Sequence, residues 1–306
     1  MKGRDFLSTH DFTLAEINQF LDFADELKAK QKRGEEHHLL KGKTLGMIFQ
    51  KASTRTRVSF EVGMWQLGGH ALFLSAGELQ IGRGEPIADT ARVLSRYVDG
   101  IMIRTYAHED VVQLAKHAEI PVINGLTDLL HPCQVLADLM TIREYKKNLK
   151  GLKLAYIGDG NNMANELMYG GAKVGMHVTI ANPSGYNPSE LVFKQAQADA
   201  QLTGARIELV NDPFVAAKDA DIIYTDVWAS MGKEQEQLKR AIIFKDFQVN
   251  AELLRVARKD AIVMHCLPAH RGEEITDEVI EGPHSVVFDE AENRLHAQKA
   301  IMALTM

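Results

Sequence analysis

Cysteine is nearly absent from this chain. Two residues in 306, Cys133 and Cys266, make no disulfide framework. An excess of basic charge is missing as well: 35 Lys and Arg stand against 41 Asp and Glu, a formal net charge of −6. That balance lacks the footprint of a nucleic-acid-binding domain, although it leaves room for a local cationic pocket. No apolar run approaches the roughly 18 residues of a bilayer-spanning helix, so no membrane partner is expected. The opening Met-Lys-Gly-Arg-Asp-Phe-Leu lacks the apolar core of a signal peptide, and a cytoplasmic location is the expectation. Neither a repeat of roughly 20–50 residues nor a low-complexity segment is visible. What is present is ordinary globular composition, 45% hydrophobic and 25% charged, which excludes a disordered chain, a collagen-like fibre and a coiled coil. At roughly 100–200 residues per domain, the length predicts about two domains.

Hydrophobic periodicity organises the chain. Leu14, Ile17, Phe20, Leu21, Ala24 and Leu27 recur at helical spacing after a capping Thr13 or Asp11. The charged stretch from Lys28 through Leu40 reads as a surface helix end and loop. An alternation then begins: strand 44–49, helix 54–67 with Val58, Val62 and Trp65 at helical spacing, strand 71–74, helix 86–97, strand 100–103, helix 109–117, strand 121–124 and a long helix 132–147. A second series follows, with strand 152–157, helix 162–174, strand 177–180, a Pro/Gly turn at 182–188, strands 207–210, 221–224, 261–264 and 285–288, and a last helix from 290 to about 303. Strands alternating with helices imply parallel βαβ units, here in two α/β halves joined near residue 145.

Five segments carry residue types suited to chemistry. Ser53-Thr54-Arg55-Thr56-Arg57 follows a buried strand and opens a helix, where unpaired N–H groups and the positive dipole end bind anions. Three hydroxyls and two guanidiniums there make an oxyanion or phosphate cradle. It is not a Walker loop, because the glycine spacing and Gly-Lys-Ser/Thr are missing. The plainer alternative is a serine cap before a solvated basic face. His131-Pro132-Cys133-Gln134 also opens a helix; His131 and Gln134 can engage a carbonyl or an amide, whereas Cys133 reads as a small apolar residue. Gly158-Asp159-Gly160-Asn161-Asn162-Met163 starts like a dinucleotide fingerprint, but Met163 stands at the third glycine position and no acid ends the next strand. A tight turn with a polar tip is the better reading. Asp226-Val-Trp-Ala-Ser-Met-Gly232 offers an acid for an ammonium group and a loop to cover a ligand; alternatively, Trp228 is a surface plug. His265-Cys266-Leu267-Pro268 suggests thiol chemistry. Zinc needs three or four convergent ligands, and neither Cys-x₂-Cys nor His-Glu-x-x-His occurs. Neighbours on an extended chain point oppositely, so His265 is no obvious base for Cys266. All five segments lie at predicted strand C-terminal ends, the ligand-binding edge of an open α/β sheet.

Together, Ser53-Thr-Arg-Thr-Arg57, His131-Pro-Cys-Gln134, Asp226-x₃-Ser230-Met231-Gly232 and His265-Cys-Leu-Pro268 resemble the aspartate/ornithine carbamoyltransferase family over essentially the whole chain. The first two are shared with the aspartate branch; the last two favour ornithine. The resemblance implies two parallel-sheet α/β domains linked by long helices. A carbamoyl-phosphate domain would cover 1–145 and a Rossmann-like ornithine domain 146–288, with a C-terminal helix 289–306 packing back on the first domain. It implies a homotrimer or a multimer of trimers, carbamoyl phosphate and L-ornithine as substrates, and neither a metal nor an organic cofactor. Residue by residue, it implies Ser53, Thr54, Arg55 and Thr56 for the phosphate, Arg104 and His131 for phosphate and carbonyl oxygens, and Gln134 for the carbamoyl amide, with Pro132 and Cys133 beside it. Gln80 matches a loop contributed to the neighbouring site. Asn162, Asp226, Ser230 and Met231 match ornithine contacts, and Cys266, Leu267 and Arg294 complete the site. The Leu267–Pro268 bond is expected to be cis.

The implied chemistry explains the residue types. Phosphate leaves as a dianion, which guanidiniums and helix N–H groups stabilise, and arginine's planar fork suits it better than a lysine point charge. Thr56, Arg104 and His131 would receive the developing oxyanion. Ornithine's side-chain ammonium, which like that of lysine titrates at roughly pH 10.4, must lose a proton before it attacks. Asp226 would orient the amine and Cys266 assist its deprotonation, or the neutral amine would bind directly and phosphate take the proton; Arg55, Arg104 and His131 complete the catalytic set. The competing readings are a carbamoyltransferase acting on putrescine, acylated ornithine or aspartate, a non-catalytic relative, and a nicotinamide-dependent dehydrogenase.

Overall fold

A computed structural model describes residues 1–77, 79, 84–229 and 236–306. The chain divides into two compact units, Met1–Met140 with Glu292–Met306, and Thr141–Ala291. Each is built on one wholly parallel sheet.

The first unit opens with α1 (Leu14–Lys32). Thr13 caps it through a reciprocal capping box with Glu16, and Ile17, Phe20, Leu21, Ala24 and Leu27 are buried as their spacing predicts. The alternation follows as β1 (Thr44–Phe49), α2 (Thr54–Gln66), β2 (His70–Ser75), α3 (Ile87–Leu94), β3 (Gly100–Arg104), α4 (His108–His117), β4 (Val122–Leu126) and α5 (Pro132–Lys146). The strand order is β2-β1-β3-β4.

The helix expected from the spacing of Val58, Val62 and Trp65 forms as α2, but those residues do not mark its packed face: Val58 is 50% and Trp65 76% exposed, while Phe60, Gly63 and Met64 are buried. Both stripes have helical spacing. The smaller face packs because Gly63 permits close approach; a Cβ there would lie 3.0 Å from Met302 Cε and 3.3 Å from Lys299 Cγ. The stretch from Lys28 through Leu40 is not merely surface either. Lys28, His37 and Leu40 are buried. Lys28 Nζ donates to Asn293 Oδ1 at 2.7 Å, and Lys299 Nζ to Gln31 Oε1 and Gln66 Oε1, each at 2.8 Å. These partners are far away in sequence, so no local pattern announces the burial.

The second unit contains β5 (Lys153–Ile157), α6 (Asn162–Val174), β6 (His177–Ala181), α7 (Glu190–Thr203), β7 (Ile207–Val210), α8 (Pro213–Ala217), β8 (Ile222–Thr225), α9 (Gln237–Ile243), α10 (Ala251–Leu254), β9 (Ile262–His265), α11 (Asp277–Ile280) and the start of α12 (Val287–Thr305). Its strand order is β7-β6-β5-β8-β9. Helices α7 to α11 went unread in the sequence. The strand expected at 285–288 does not form: Ser285 makes an isolated parallel bridge to Val263, and Val287 already begins α12. Among the described residues no helix is long and apolar enough to cross a membrane.

Both sheets reverse their winding once, between β1 and β3 in the first and between β5 and β8 in the second. At such a switch point the two neighbouring connections leave in opposite directions, opening a crevice outside the strand C-termini.

Candidate functional site

At the first switch point Ser53 caps α2. Its Oγ accepts from Thr56 N at 3.2 Å and donates to Thr56 Oγ1 at 3.1 Å. Arg104 ends the facing strand β3. From α12, Arg294 donates through Nη2 to Thr56 Oγ1 at 3.0 Å and through Nη1 to Gln134 Oε1 at 2.7 Å. Gln134 Nε2 passes the chain on to Asp138 Oδ1 at 2.8 Å. Thr56, Arg104, His131, Gln134 and Arg294 are all buried. Burial drives the His131 pKa well below its usual value, and Arg294, Arg104 and Arg55 push it the same way. The imidazole is therefore neutral inside a cationic cluster. Its Nδ1 is buried with no hydrogen-bond partner among the described residues.

The two guanidiniums of the Ser53–Arg57 segment do not act together. Arg57 turns outward, donating from Nε to Glu61 Oε1 at 3.0 Å and lying 3.8 Å over the Phe73 ring. Arg55 is grouped with Arg104 and Arg294 instead, all three acting on His131. Thr54 is the first residue of α2, and Pro132 and Cys133 open α5, where the Cys133 thiol donates to Asn124 O at 3.3 Å. Cys133 is a packing residue, as its apolar reading had it. Lys51 went unnoticed: it is buried, ion-paired to Asp128 and 4.2 Å over the Tyr106 ring. A lysine two residues before the serine cap was the available signal.

The second switch point is assembled from the tips of β5, β8 and β9. Gly158 has φ +149°, and a Cβ on Gly160 would lie 2.2 Å from Pro188 N. The glycine pair thus serves the turn and its packing on the 182–188 segment, which accounts for a nucleotide fingerprint that stops short. Asn161 caps α6, its Oδ1 accepting from Met163 N at 2.9 Å, Ala164 N at 3.2 Å and the Tyr156 hydroxyl at 3.1 Å. Its amide bridges the switch point, Nδ2 donating to Asp226 Oδ2 at 2.7 Å. The other Asp226 oxygen accepts from Val227 N at 2.8 Å and from the Cys266 thiol at 3.1 Å. Burial foremost, then Asp226, Asp159 and Cys266, raise the Tyr156 pKa well above the phenol range, so it remains a donor. Sequence reasoning missed Asn161, which holds this carboxylate, and Tyr156, which bonds Asn161, although Asn161 stands inside the Gly158–Met163 turn beside Asn162, the first residue of α6.

The imidazole of His265 is committed elsewhere. Nδ1 accepts from Leu267 N at 2.9 Å, which assigns the ring proton to Nε2, facing Glu274 Oε1 at 3.1 Å. The Cys266 thiol engages Asp226, not His265. Leu267–Pro268 is cis. Ligand atoms of Asp226, His265 and Cys266 lie within 4.8 Å of one another, as do those of His270, Glu273 and Glu274. Both nitrogens of His265 are already hydrogen-bonded, so the first trio suits proton chemistry better than metal binding. Trp228 is buried and stacks on Phe244 with ring centroids 6.0 Å apart. Arg240, also unforeseen, holds this segment by donating from Nη1 to Trp228 O at 2.8 Å and to Asp159 Oδ2 at 2.7 Å. Gln80, Ser230 and Met231 lie outside the described residues.

The chain that carries these two clusters matches known sequences. Residues 4–144 match the family model "Aspartate/ornithine carbamoyltransferase, carbamoyl-P binding domain" and residues 150–305 the model "Aspartate/ornithine carbamoyltransferase, Asp/Orn binding domain". The chain belongs to the aspartate/ornithine carbamoyltransferase family. One member, an ornithine carbamoyltransferase of Oceanobacillus iheyensis, is 62% identical over 306 residues, covering 100% of this chain and 95% of its own length. The solved ornithine carbamoyltransferase of Pyrococcus furiosus superposes with a TM-score of 0.97 at 60% identity, over 100% of this chain and 97% of that one. An anabolic ornithine carbamoyltransferase from Campylobacter jejuni gives a TM-score of 0.92 at 44% identity, over 98% of each chain. Membership sets aside the dehydrogenase reading. It also makes Arg294 notable: the residue falls in the stretch matched by the Asp/Orn domain, yet its guanidinium joins the cationic cluster of the first unit.

Proposed function

We infer that the protein transfers the carbamoyl group of carbamoyl phosphate to the side-chain amine of L-ornithine, giving L-citrulline and phosphate. The observation that carries this reading is the charge at the two switch points. Neutral His131 stands among Arg55, Arg104 and Arg294, which suits a dianion, and buried Asp226 accepts from Asn161 and Cys266, which suits an ammonium group.

In the reaction the neutral amine nitrogen forms a bond to the carbamoyl carbon, the carbon–oxygen bond to phosphate breaks with its electron pair leaving on phosphate, and the proton the amine gives up ends on the departing phosphate. Ser53, Thr54, Arg55 and the N–H groups at the start of α2 hold the phosphate. Thr56, Arg104 and neutral His131 donate to the carbonyl oxygen as it gains charge, and Gln134 fixes the carbamoyl amide. Asp226 orients the amine, and Cys266 assists its deprotonation beside the same carboxylate. Carbamoyl phosphate binds first, because its phosphate cradle lies largely in one unit; inhibition patterns showing random addition contradict that order.

Purified protein given carbamoyl phosphate and L-ornithine should release citrulline and phosphate in equal amounts, with no carbamoylated product from putrescine or aspartate. Product from putrescine in place of ornithine overturns the acceptor reading. Cys266→Ala should lower kcat by about tenfold or more, the loss of a modest proton-transfer contribution; unchanged turnover across pH removes the thiol from the mechanism. The Campylobacter jejuni relative is named anabolic, and the synthetic direction, toward arginine, is the reading extended to this chain.

A homotrimer, alone or as a multimer of trimers, is part of the same reading. It is supported by exposed apolar residues on two adjacent elements of the first unit, Val58 and Trp65 on α2 and Leu72 and Phe73 on the sheet-edge strand β2.

A further inference from the structure

We propose that Glu290 is a positioning residue for the Asp226–Cys266 pair, its carboxylate standing in for a strand carbonyl beside β9. The proposal takes its kinetic consequence from the ornithine-carbamoylating reading and its geometry from the second unit alone.

Strand β9 is the edge of its sheet. On its outer side the ladder begins normally: Val263 N donates to His284 O at 2.8 Å, and Val263 O accepts from Val286 N at 3.0 Å. The next outward-facing N–H in a parallel strand is that of His265, two residues on. There the neighbouring chain has already turned into α12 at Val287, so no strand carbonyl is alongside. Glu290, in the first turns of that helix, fills the position: its Oε2 accepts from His265 N at 2.9 Å. A buried N–H at the residue before Cys266 would otherwise lack this acceptor.

The second oxygen reaches the neighbouring strand. Glu290 Oε1 accepts from the Tyr224 hydroxyl at 3.0 Å, and Tyr224 lies on β8 two residues before Asp226. Tyr224 stacks on Tyr156, centroids 6.1 Å apart at 24°, and Tyr156 bonds the Asn161 that holds Asp226. One fully buried carboxylate thus ties the end of β9, from which Cys266 projects, to the end of β8, from which Asp226 projects. Burying a charge is a poor way to gain stability; what this carboxylate supplies is the spacing of two strand ends that must present a thiol and a carboxylate 3.1 Å apart.

The test compares Glu290→Ala, Glu290→Gln and Tyr224→Phe in the full-length protein by two readouts. The first is steady-state kinetics with each substrate varied. The second is the rate of iodoacetamide alkylation, which reports Cys266 because Cys133 is fully buried. Glu290→Ala should lower kcat/KM for ornithine by about tenfold or more while KM for carbamoyl phosphate moves less than about twofold. Alkylation should speed up by about threefold, since a thiol no longer held by its hydrogen bond to Asp226 is freer to meet the reagent. Glutamine can accept from His265 N with its oxygen and donate to the Tyr224 oxygen with its amide, so Glu290→Gln should recover both readouts to within about threefold of wild type. Tyr224→Phe should shift both in the direction of Glu290→Ala by a smaller factor, and it carries the test if Glu290→Ala does not fold. Wild-type alkylation in Glu290→Ala (or in Tyr224→Phe, where that variant stands in) overturns the proposal. So does a glutamine variant as impaired as the alanine one, or an equal loss for both substrates. A wild-type protein making no citrulline defeats the functional reading and leaves the alkylation comparison intact.

Discussion

Arg294 shows how much one side chain can carry. Its planar fork donates to a hydroxyl on α2 and an amide on α5 at 3.0 and 2.7 Å, and the same charge helps keep His131 neutral. Lysine retains the charge but cannot make two divergent bonds in a plane. Arg294→Lys should therefore lower kcat/KM for carbamoyl phosphate by about a hundredfold, the loss of roughly 3 kcal/mol from a buried charge-assisted contact, measured by varying that substrate at saturating ornithine. A drop under threefold would show that charge alone suffices. In the sequence, the residue types around the cradle were legible because hydroxyls and arginines open a helix directly after a buried strand, at the ligand-binding edge of an α/β sheet. The division of labour between Arg55 and Arg57 was not: side chains two apart leave an α-helix in different directions, and only packing decided which one faced inward.

At the scale of elements, the least expected feature is how α12 meets α1 and α2. Lys299 is fully buried, and its ammonium is held by Gln31, Gln66 and, at 3.2 Å, His37 Nε2, with no carboxylate among these partners. Burial lowers its pKa to about 8. The unfolded chain holds that proton up to roughly pH 10.4, so between pH 8 and 10 the unfolded state binds more protons at this site, and stability rises with pH. The contribution is fully present only above the unfolded value and is lost as pH falls through about 8. Wild type should accordingly gain about 2 kcal/mol relative to Lys299→Met between pH 8 and pH 10 in urea unfolding; parallel pH dependences would mean the site is wetter than its burial implies. None of this was visible locally. A charged stretch with a glycine reads as surface until a helix from the far end of the chain covers it. The failed strand at 285–288 has a related cause, for one bridge to Val263 and a helix start bury Val286 and Val287 and leave Phe288 63% exposed.

For the molecule as a whole, assembly is a matter of surface chemistry. A 76%-exposed tryptophan on α2 and two apolar residues on an edge strand are costly to leave in water and invite another copy. On the trimer reading proposed above, Trp65→Glu combined with Phe73→Glu should leave monomers in light scattering, with the circular dichroism of a folded chain retained. A wild-type monomer, or an unaltered trimer in the double variant, removes these elements as the interface. The alternation of strands and helices did predict two parallel sheets, since each βαβ step is a local pattern repeated along the chain. It did not predict which helix faces would remain uncovered.

What the amino-acid sequence by itself determined is the fold class, the strand ends where chemistry collects, and the family, because periodicity, caps and short motifs are properties of neighbouring residues. What only the tertiary structure decided is which members of each motif converge: Asn161 on Asp226, Arg294 on Thr56, Glu290 on the backbone of His265. Each of these contacts joins residues 25 or more positions apart. Their meeting depends on strand order, on the switch points and on where α12 begins, and those are set by the packing of each sheet and its helices.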